Sequence, residues 1–409
     1  MRRIFSTFAV LLTVLAAPGA AVAAVAGEPA YDGSVVTITT AAVGAPDNPA
    51  VAVVPFTDAV YRTCADAPVS SRGCLMVGRV GYPYQIGRLE ITVKQWVAFL
   101  NTADADGRDP HNLYDVTESS TAWPRYGQVD FAPRAGRGQH YSVAYPQWAD
   151  KPYGFATFLR AARFVNSLQN GRVIASQTRR AGNFRYTSYQ VRLSPRTETG
   201  MYDMARRAPT RTSAAGFVVP SQNEWIKAAY YDPGRRSYWK YPTNPGVYGD
   251  GDDTAPNQTV LNPATGDVTN GSVQPLASFH ASGTSAPAWC PGQVPDELCT
   301  TVNPMGLDPQ TYASVYQGSL ATVGQARTLS PWGTLDQGGN AVEWTDTVTP
   351  PPAGQDGARV WRRLHGGISN APAFQMWPSA VGLNPQDNSF FEHTYPWLGI
   401  RIGIVGGLR

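Results

Sequence analysis

The stretch Pro331-Trp332-Gly333-Thr334-Leu335-Asp336-Gln337-Gly338-Gly339-Asn340-Ala341-Val342-Glu343-Trp344 decides the fold. It sets two carboxylates, Asp336 and Glu343, and the amide of Asn340 around a glycine pair. Gly338-Gly339 lets the backbone turn through conformations that other residues avoid, so that carbonyls can be aimed inward. Calcium takes about six to eight oxygen ligands from carboxylates, amides and carbonyls. The segment therefore reads as a calcium-holding loop, against the plainer reading of a turn with satisfied polar residues.

Three further segments flank it in the chain. Gly87-Arg88-Leu89-Glu90-Ile91-Thr92 runs into a helix start. Pro220-Ser221-Gln222-Asn223-Glu224-Trp225 opens another helix. Leu364-His365-Gly366-Gly367 is followed some thirty residues later by Gly399-Ile400-Arg401. Four such motifs, in this order over residues 79–405, resemble the sulfatase-modifying-factor (formylglycine-generating enzyme-like) family, in particular its exported bacterial members.

The resemblance implies an α+β, C-type-lectin-like fold with few helices, short strands and long loops. It implies structural calcium held by the Asp336 and Glu343 side chains and the carbonyls of Gly339 and Ala341, with the Asn340 amide beside them. A second calcium site falls on Asn257 and Asn270, with Asp267 nearby; an amide at 270, where the family has an acid, weakens it. The catalytic members bind Cu(I) through two cysteine thiolates, soft ligands suited to that ion. Here the two positions are Ala371 and Met376, and no cysteine follows Cys299. The family's arginines before the second motif and after the catalytic segment fall on Val219 and near Val381. Copper and formylglycine formation are therefore not expected.

A related branch uses three histidines on iron. His111, His140, His280, His365 and His393 form no HxxxH or HxH pair, although His365 and His393 flank the groove segment. That groove, past Asn370 to Trp377, would hold an extended peptide or glycan. Phe374, Trp377 and Trp397 are its candidate contacts, because aromatic rings offer large area at low entropy cost; core packing is their alternative role. GxSxG, HExxH and P-loop patterns are absent from the sequence.

Composition agrees. The 409 residues are 43% hydrophobic and 15% charged, with Gly 40 and Pro 34. So many breakers and so few charges exclude coiled coils and bundles, while Trp 11, Tyr 20 and Phe 14 exclude a disordered polyelectrolyte. The basic start Met1-Arg2-Arg3, the apolar run Ile4 to Ala17 and the small-residue site Ala21-Val22-Ala23 read as a signal peptide over 1–23, against a membrane anchor as the alternative. Its removal takes Arg2 and Arg3 away, so the formal charge falls from +3 to +1. A secreted or periplasmic, unanchored protein is expected. Near-neutrality excludes a nucleic-acid footprint. The pairs Arg179-Arg180, Arg206-Arg207, Arg235-Arg236 and Arg362-Arg363 read as solvated or carboxylate-paired loop residues. Oligomeric state has no signal.

Four cysteines form two close sequence pairs, which in an exported chain predicts disulfides Cys64–Cys74 and Cys290–Cys299.

Three helices are legible. Thr92 and Gln95 form a capping box before Val93, Trp96, Val97 and Leu100. Phe158 to Gln169 carries an apolar stripe stopped at Asn170-Gly171. Ser221 and Glu224 cap a third before Trp225, Ala228 and Ala229. Strands are expected around Val35–Thr39 and Tyr84–Ile91, with short strands and long loops elsewhere. The loop Asp104 to Asp109 reads as exposed. The expected division is a β-rich segment over 24–78 and one domain over 79–405. Two functions remain: a non-catalytic ligand- or protein-binding module, or an oxidoreductase of the same superfamily with an altered site. A hypervariable ligand-binding member of the same fold is a third possibility.

Overall fold

The computed structural model describes residues 34–53, 75–121, 127–249, 254–262, 265–279, 320–351, 357–369, 373–380, 382–387 and 397–408. All four cysteines, Ala371, Asn370 and His393 lie outside these residues. The chain divides into the units Met1–Asp32 and Gly33–Arg409. Among the described residues, no helix is long and apolar enough to cross a membrane.

The three helices form where local signals place them. Helix α1, Val93–Ala103, has the Thr92–Gln95 capping box, and buries Val93, Trp96, Phe99 and Leu100. Helix α2, Phe158–Gln169, starts at Thr157, whose side chain accepts from the Arg160 N–H, and ends at Asn170. Helix α3, Gln222–Tyr230, has the Ser221–Glu224 box. Each box satisfies two N–H groups that a helix start leaves unpaired. Trp96 of α1 stacks on Tyr153 with centroids 4.2 Å apart, and also touches Phe164 of α2.

Helix α3 packs against Val342–Thr349 and Trp361–His365, whereas α1 and α2 pack on a six-stranded sheet. Its order is Arg172–Ala181, Phe184–Arg192, Val35–Val43, Tyr84–Gly87, Gly403–Val405, Gly216–Val218. The strand Val35–Val43 lies inside this sheet, pairing antiparallel with Phe184–Arg192 on one side and Tyr84–Gly87 on the other. Strands on both sides of residue 78 thus share one sheet. A four-stranded sheet, Gly382–Pro385, Trp361–His365, Val342–Thr349 and Leu398–Gly399, carries the decisive motif. Its parallel pair joins Val342 to Leu398.

Three expectations need correction. The strands Arg172–Ala181, of 10 residues, and Phe184–Arg192, of 9, form a long hairpin in the main sheet where only short strands and loops are expected. Arg179-Arg180 therefore stands on a strand. Arg362 is fully buried, packed over the Phe158 ring at 3.4 Å. It donates to the Pro209 and Asp346 carbonyls and to Gln386. The Asp104 loop is not simply exposed. Asp104 is buried, accepting the Arg108 and Asp109 N–H groups on Oδ1 and the Tyr141 hydroxyl on Oδ2.

Candidate functional site

The decisive motif folds into a buried polar knot. Asp336, Gly339 and Asn340 adopt left-handed φ values of 53°, 79° and 59°. Gly339 is obligatory there: a Cβ would stand 2.1 Å from the Ser278 carbonyl oxygen. The N–H groups of three successive residues are spent on protein acceptors. Gly339 donates to Gly366 O at 2.6 Å and Asn340 to Ser278 O at 2.8 Å. Ala341 donates to Glu90 Oε1 at 3.3 Å. The Asn340 side chain accepts the Ala321 N–H at 2.8 Å and donates to Glu90 Oε2 at 3.1 Å.

Glu343 faces inward from the start of its strand. Its Oε1 accepts Arg401 Nη2 at 2.6 Å, and its Oε2 accepts Arg401 Nε at 2.9 Å and Trp225 Nε1 at 2.6 Å. Arg401 also donates to the carbonyls of Gly87 and Leu335. Asp336 accepts the Gly324 N–H on Oδ2.

The charges do not balance. Three buried carboxylates, Glu90, Asp336 and Glu343, face one buried guanidinium, Arg401. Burial and then the neighbouring Asp336 hold the Glu90 carboxyl well above the usual range. Burial pushes Asp336 up to about 6, against the Gly324 N–H and Arg401, which favour its charge. Burial opposes the Arg401 cation, but Glu343 beside it carries the balance upward. Such an excess of buried carboxylate oxygen suits a hard divalent cation. Even so, among the described residues no three His, Cys, Asp or Glu side chains stand grouped so as to hold a metal ion, and both Glu343 oxygens are taken by Arg401 and Trp225. Sequence reasoning missed Glu90 and Arg401 as members, although both stand in motifs that mark the resemblance. The signal for them was the pairing of those motifs in one site.

The second loop is held otherwise. Asn257 donates to Pro275 O at 3.2 Å. Asn270 accepts the Val260 N–H at 2.8 Å and donates to Gln258 O at 3.0 Å. Asp267 accepts from Thr265, Thr322 and Gln325, and its carboxyl is held below the usual range by the Thr265 and Gln325 side chains.

Of the groove residues, Phe374 and Trp377 meet edge to face with centroids 6.4 Å apart, and Lys240 lies over Trp377 at 4.8 Å. Trp397 belongs to the other end of the motif, where its carbonyl accepts the Val342 N–H. Met376 is buried, in a cluster with Tyr241, Ala277 and Phe279, and its carbonyl accepts the Tyr230 hydroxyl at 2.7 Å. His365 is buried and stacks on Trp225 at 5.3 Å. Neither of its ring nitrogens has a hydrogen-bond partner among the described residues. Burial, with Arg363 nearby, pushes its imidazole down to about 3.

Among the described residues the fold is α+β, with three helices and a Gly-Gly-Asn loop locked by the buried Glu343–Arg401 pair. Residues 76–377 match the sulfatase-modifying factor enzyme 1-like domain, and the chain belongs to that family. Among solved structures, it is similar to Treponema denticola variable protein 1, at 14% identity over 90% of this chain and 95% of that one, TM-score 0.40. It is also similar to CarF, at 13% over 91% and 98%, TM-score 0.37. PvdO from Pseudomonas aeruginosa stands at 11% over 91% and 94%, TM-score 0.35. Among curated proteins none matches the chain.

Proposed function

We propose that this protein is an exported, calcium-stabilised member of the family that acts as a non-catalytic binding module for an extended peptide or glycan. One observation carries the reading. Position 376, where a copper-binding thiolate would be needed, holds a methionine that packs in an apolar cluster. Position 371 holds Ala371. A methyl group and a buried thioether do not make a thiolate pair.

Calcium would be held by Asp336, Glu343 and the carbonyls of Gly339 and Ala341, and would supply positive charge to a carboxylate-rich interior. The contact surface would be Phe374, Trp377 and Trp397. The signal sequence over 1–23 supports export, and in that setting the sequence pairs Cys64–Cys74 and Cys290–Cys299 would be oxidised.

Metal analysis of the purified protein, with oxygen uptake measured on a cysteine-containing peptide, tests the reading. Calcium without copper or iron, and no oxygen uptake, is the expected result. Stoichiometric copper or iron with oxygen consumption overturns it in favour of an oxidoreductase with other metal ligands. That second reading draws its support from the buried, unpartnered imidazole of His365.

A further inference from the structure

The hairpin Arg172–Ala181 and Phe184–Arg192 forms one margin of the six-stranded sheet, with Arg172–Ala181 outermost. Nine of the ten residues of that outer strand are exposed, Val173 alone being half-buried. Its outer N–H and C=O groups therefore face away from the sheet, in the arrangement that recruits a further strand. A bulge between Val173 and Ala175 leaves Ala175–Ala181 as the regular part of that edge.

The hairpin is also strongly basic. Residues 172–192 hold Arg172, Arg179, Arg180, Arg185 and Arg192 and no aspartate or glutamate. The register sets Arg172 opposite Arg192 and Arg180 opposite Arg185. Like charges directly opposite destabilise a hairpin. Arg179 donates to Gln177 at 2.8 Å, and no ion pair reaches Arg172, Arg179, Arg180 or Arg185 among the described residues. A charged edge is the usual guard against aggregation. That purpose is served by single charges along the edge, and does not call for arginine facing arginine at both ends.

We propose that Arg172–Ala181 is the docking strand for an acidic, extended segment of a partner protein, which adds to the sheet as a further strand. The open edge takes the backbone of the segment and the arginines take its carboxylates, so one occupant accounts for both features. An anionic glycan would use the charge and leave the ladder unused. Duplex nucleic acid calls for a broader basic surface than a chain of net charge +3 offers. This surface shares no residue with the groove of Phe374, Trp377 and Trp397.

Fluorescence anisotropy of the full-length protein with a labelled ten-residue peptide of alternating Glu and Thr tests the proposal. Saturable binding is expected, weakening with added salt. The double variant R179E/R180E should weaken it about tenfold, two exposed charge contacts being reversed. The same peptide N-methylated at alternate amides should not bind, because it cannot form a ladder. A Lys-Thr peptide should not bind either. If R179E/R180E does not fold by circular dichroism, Arg180→Gln and Arg185→Gln are read in its place, each with a smaller loss. The proposal is overturned by absent binding, by equal binding of the N-methylated peptide, or by an unchanged affinity in the arginine variants. Binding of heparin or a single-stranded oligonucleotide that the Glu-Thr peptide does not displace also overturns it.

Discussion

The guanidinium of Arg401 and the carboxylate of Glu343 meet at 2.6 Å with neither side chain exposed. The pair ties the C-terminal end of the chain to the start of the strand Val342–Thr349. Through Arg401, it also reaches the carbonyls of Gly87 and Leu335. Four motifs that lie far apart in sequence thus close on one buried ion pair.

Breaking that pair on one side leaves a buried charge uncompensated. Arg401→Met is expected to destabilise the protein by about 3–5 kcal/mol. Adding Glu343→Gln should recover part of the loss, since the orphaned charge is then gone. Urea unfolding of both single variants and the double variant measures this; simply additive losses would show that the two residues are not coupled.

Gly339→Ala should cost well over 1 kcal/mol, because the residue sits at φ 79° and its Cβ would collide with the Ser278 carbonyl. The same substitution at Gly182, also at positive φ but with nothing near its Cβ, should cost less. Melting temperatures of the two variants compare clash plus strain against strain alone.

Asp336 provides a pH signature. Its carboxyl stands at about 6 in the folded protein and at the ordinary 3.8 when unfolded. The folded state therefore holds the proton more tightly. This contribution to stability is complete below about 3.8 and is lost as the pH rises through about 6, on the order of 3 kcal/mol in all. Bound calcium reverses the demand, since it needs the ionised carboxylate. The calcium-induced rise in melting temperature should be larger at pH 7.5 than at pH 5, and Asp336→Asn should reduce it. A wild-type protein whose melting temperature is the same in calcium and in chelator at pH 7.5 would falsify the calcium proposal.

His365 titrates in the opposite sense. Its folded value of about 3 lies below the ordinary 6.5, so its contribution is present above 6.5 and lost as the pH falls toward 3. His365→Phe should keep the stack on Trp225, remove two unpartnered ring nitrogens, and be as stable as the wild type or more so at pH 7. The difference in stability between variant and wild type should widen on acidification from pH 6.5 to pH 4. A constant difference over that range would mean that the ring is already protonated or solvated in the folded state.

Local signals were easily read. The capping boxes Thr92–Gln95 and Ser221–Glu224 and the stop at Asn170 are set by residues three or four apart; α1 and α3 begin at the boxes and α2 ends at Asn170. The hairpin was missed although Gly182-Asn183 between two strand-like runs is a hairpin signal. Its outer strand is exposed on both faces, and so lacks the alternation of apolar and polar residues that betrays a half-buried strand. Arg362 reads from the sequence as a solvated or carboxylate-paired loop residue, because an arginine pair on its own indicates nothing about the Phe158 ring it covers. Likewise, Glu90 and Asn340 lie 250 residues apart and meet at 3.1 Å.

The sequence by itself determined the family, the α+β class and the helix starts, since these rest on ordered motifs and contacts between near neighbours. Only the tertiary structure decided which charges are buried together, which glycine is obligatory and which arginines stand on an open edge. Those depend on desolvation and on register between distant segments. A carboxylate in the sequence is the same letter whether it faces water or Arg401, and only packing fixes its pKa, its partner and its use.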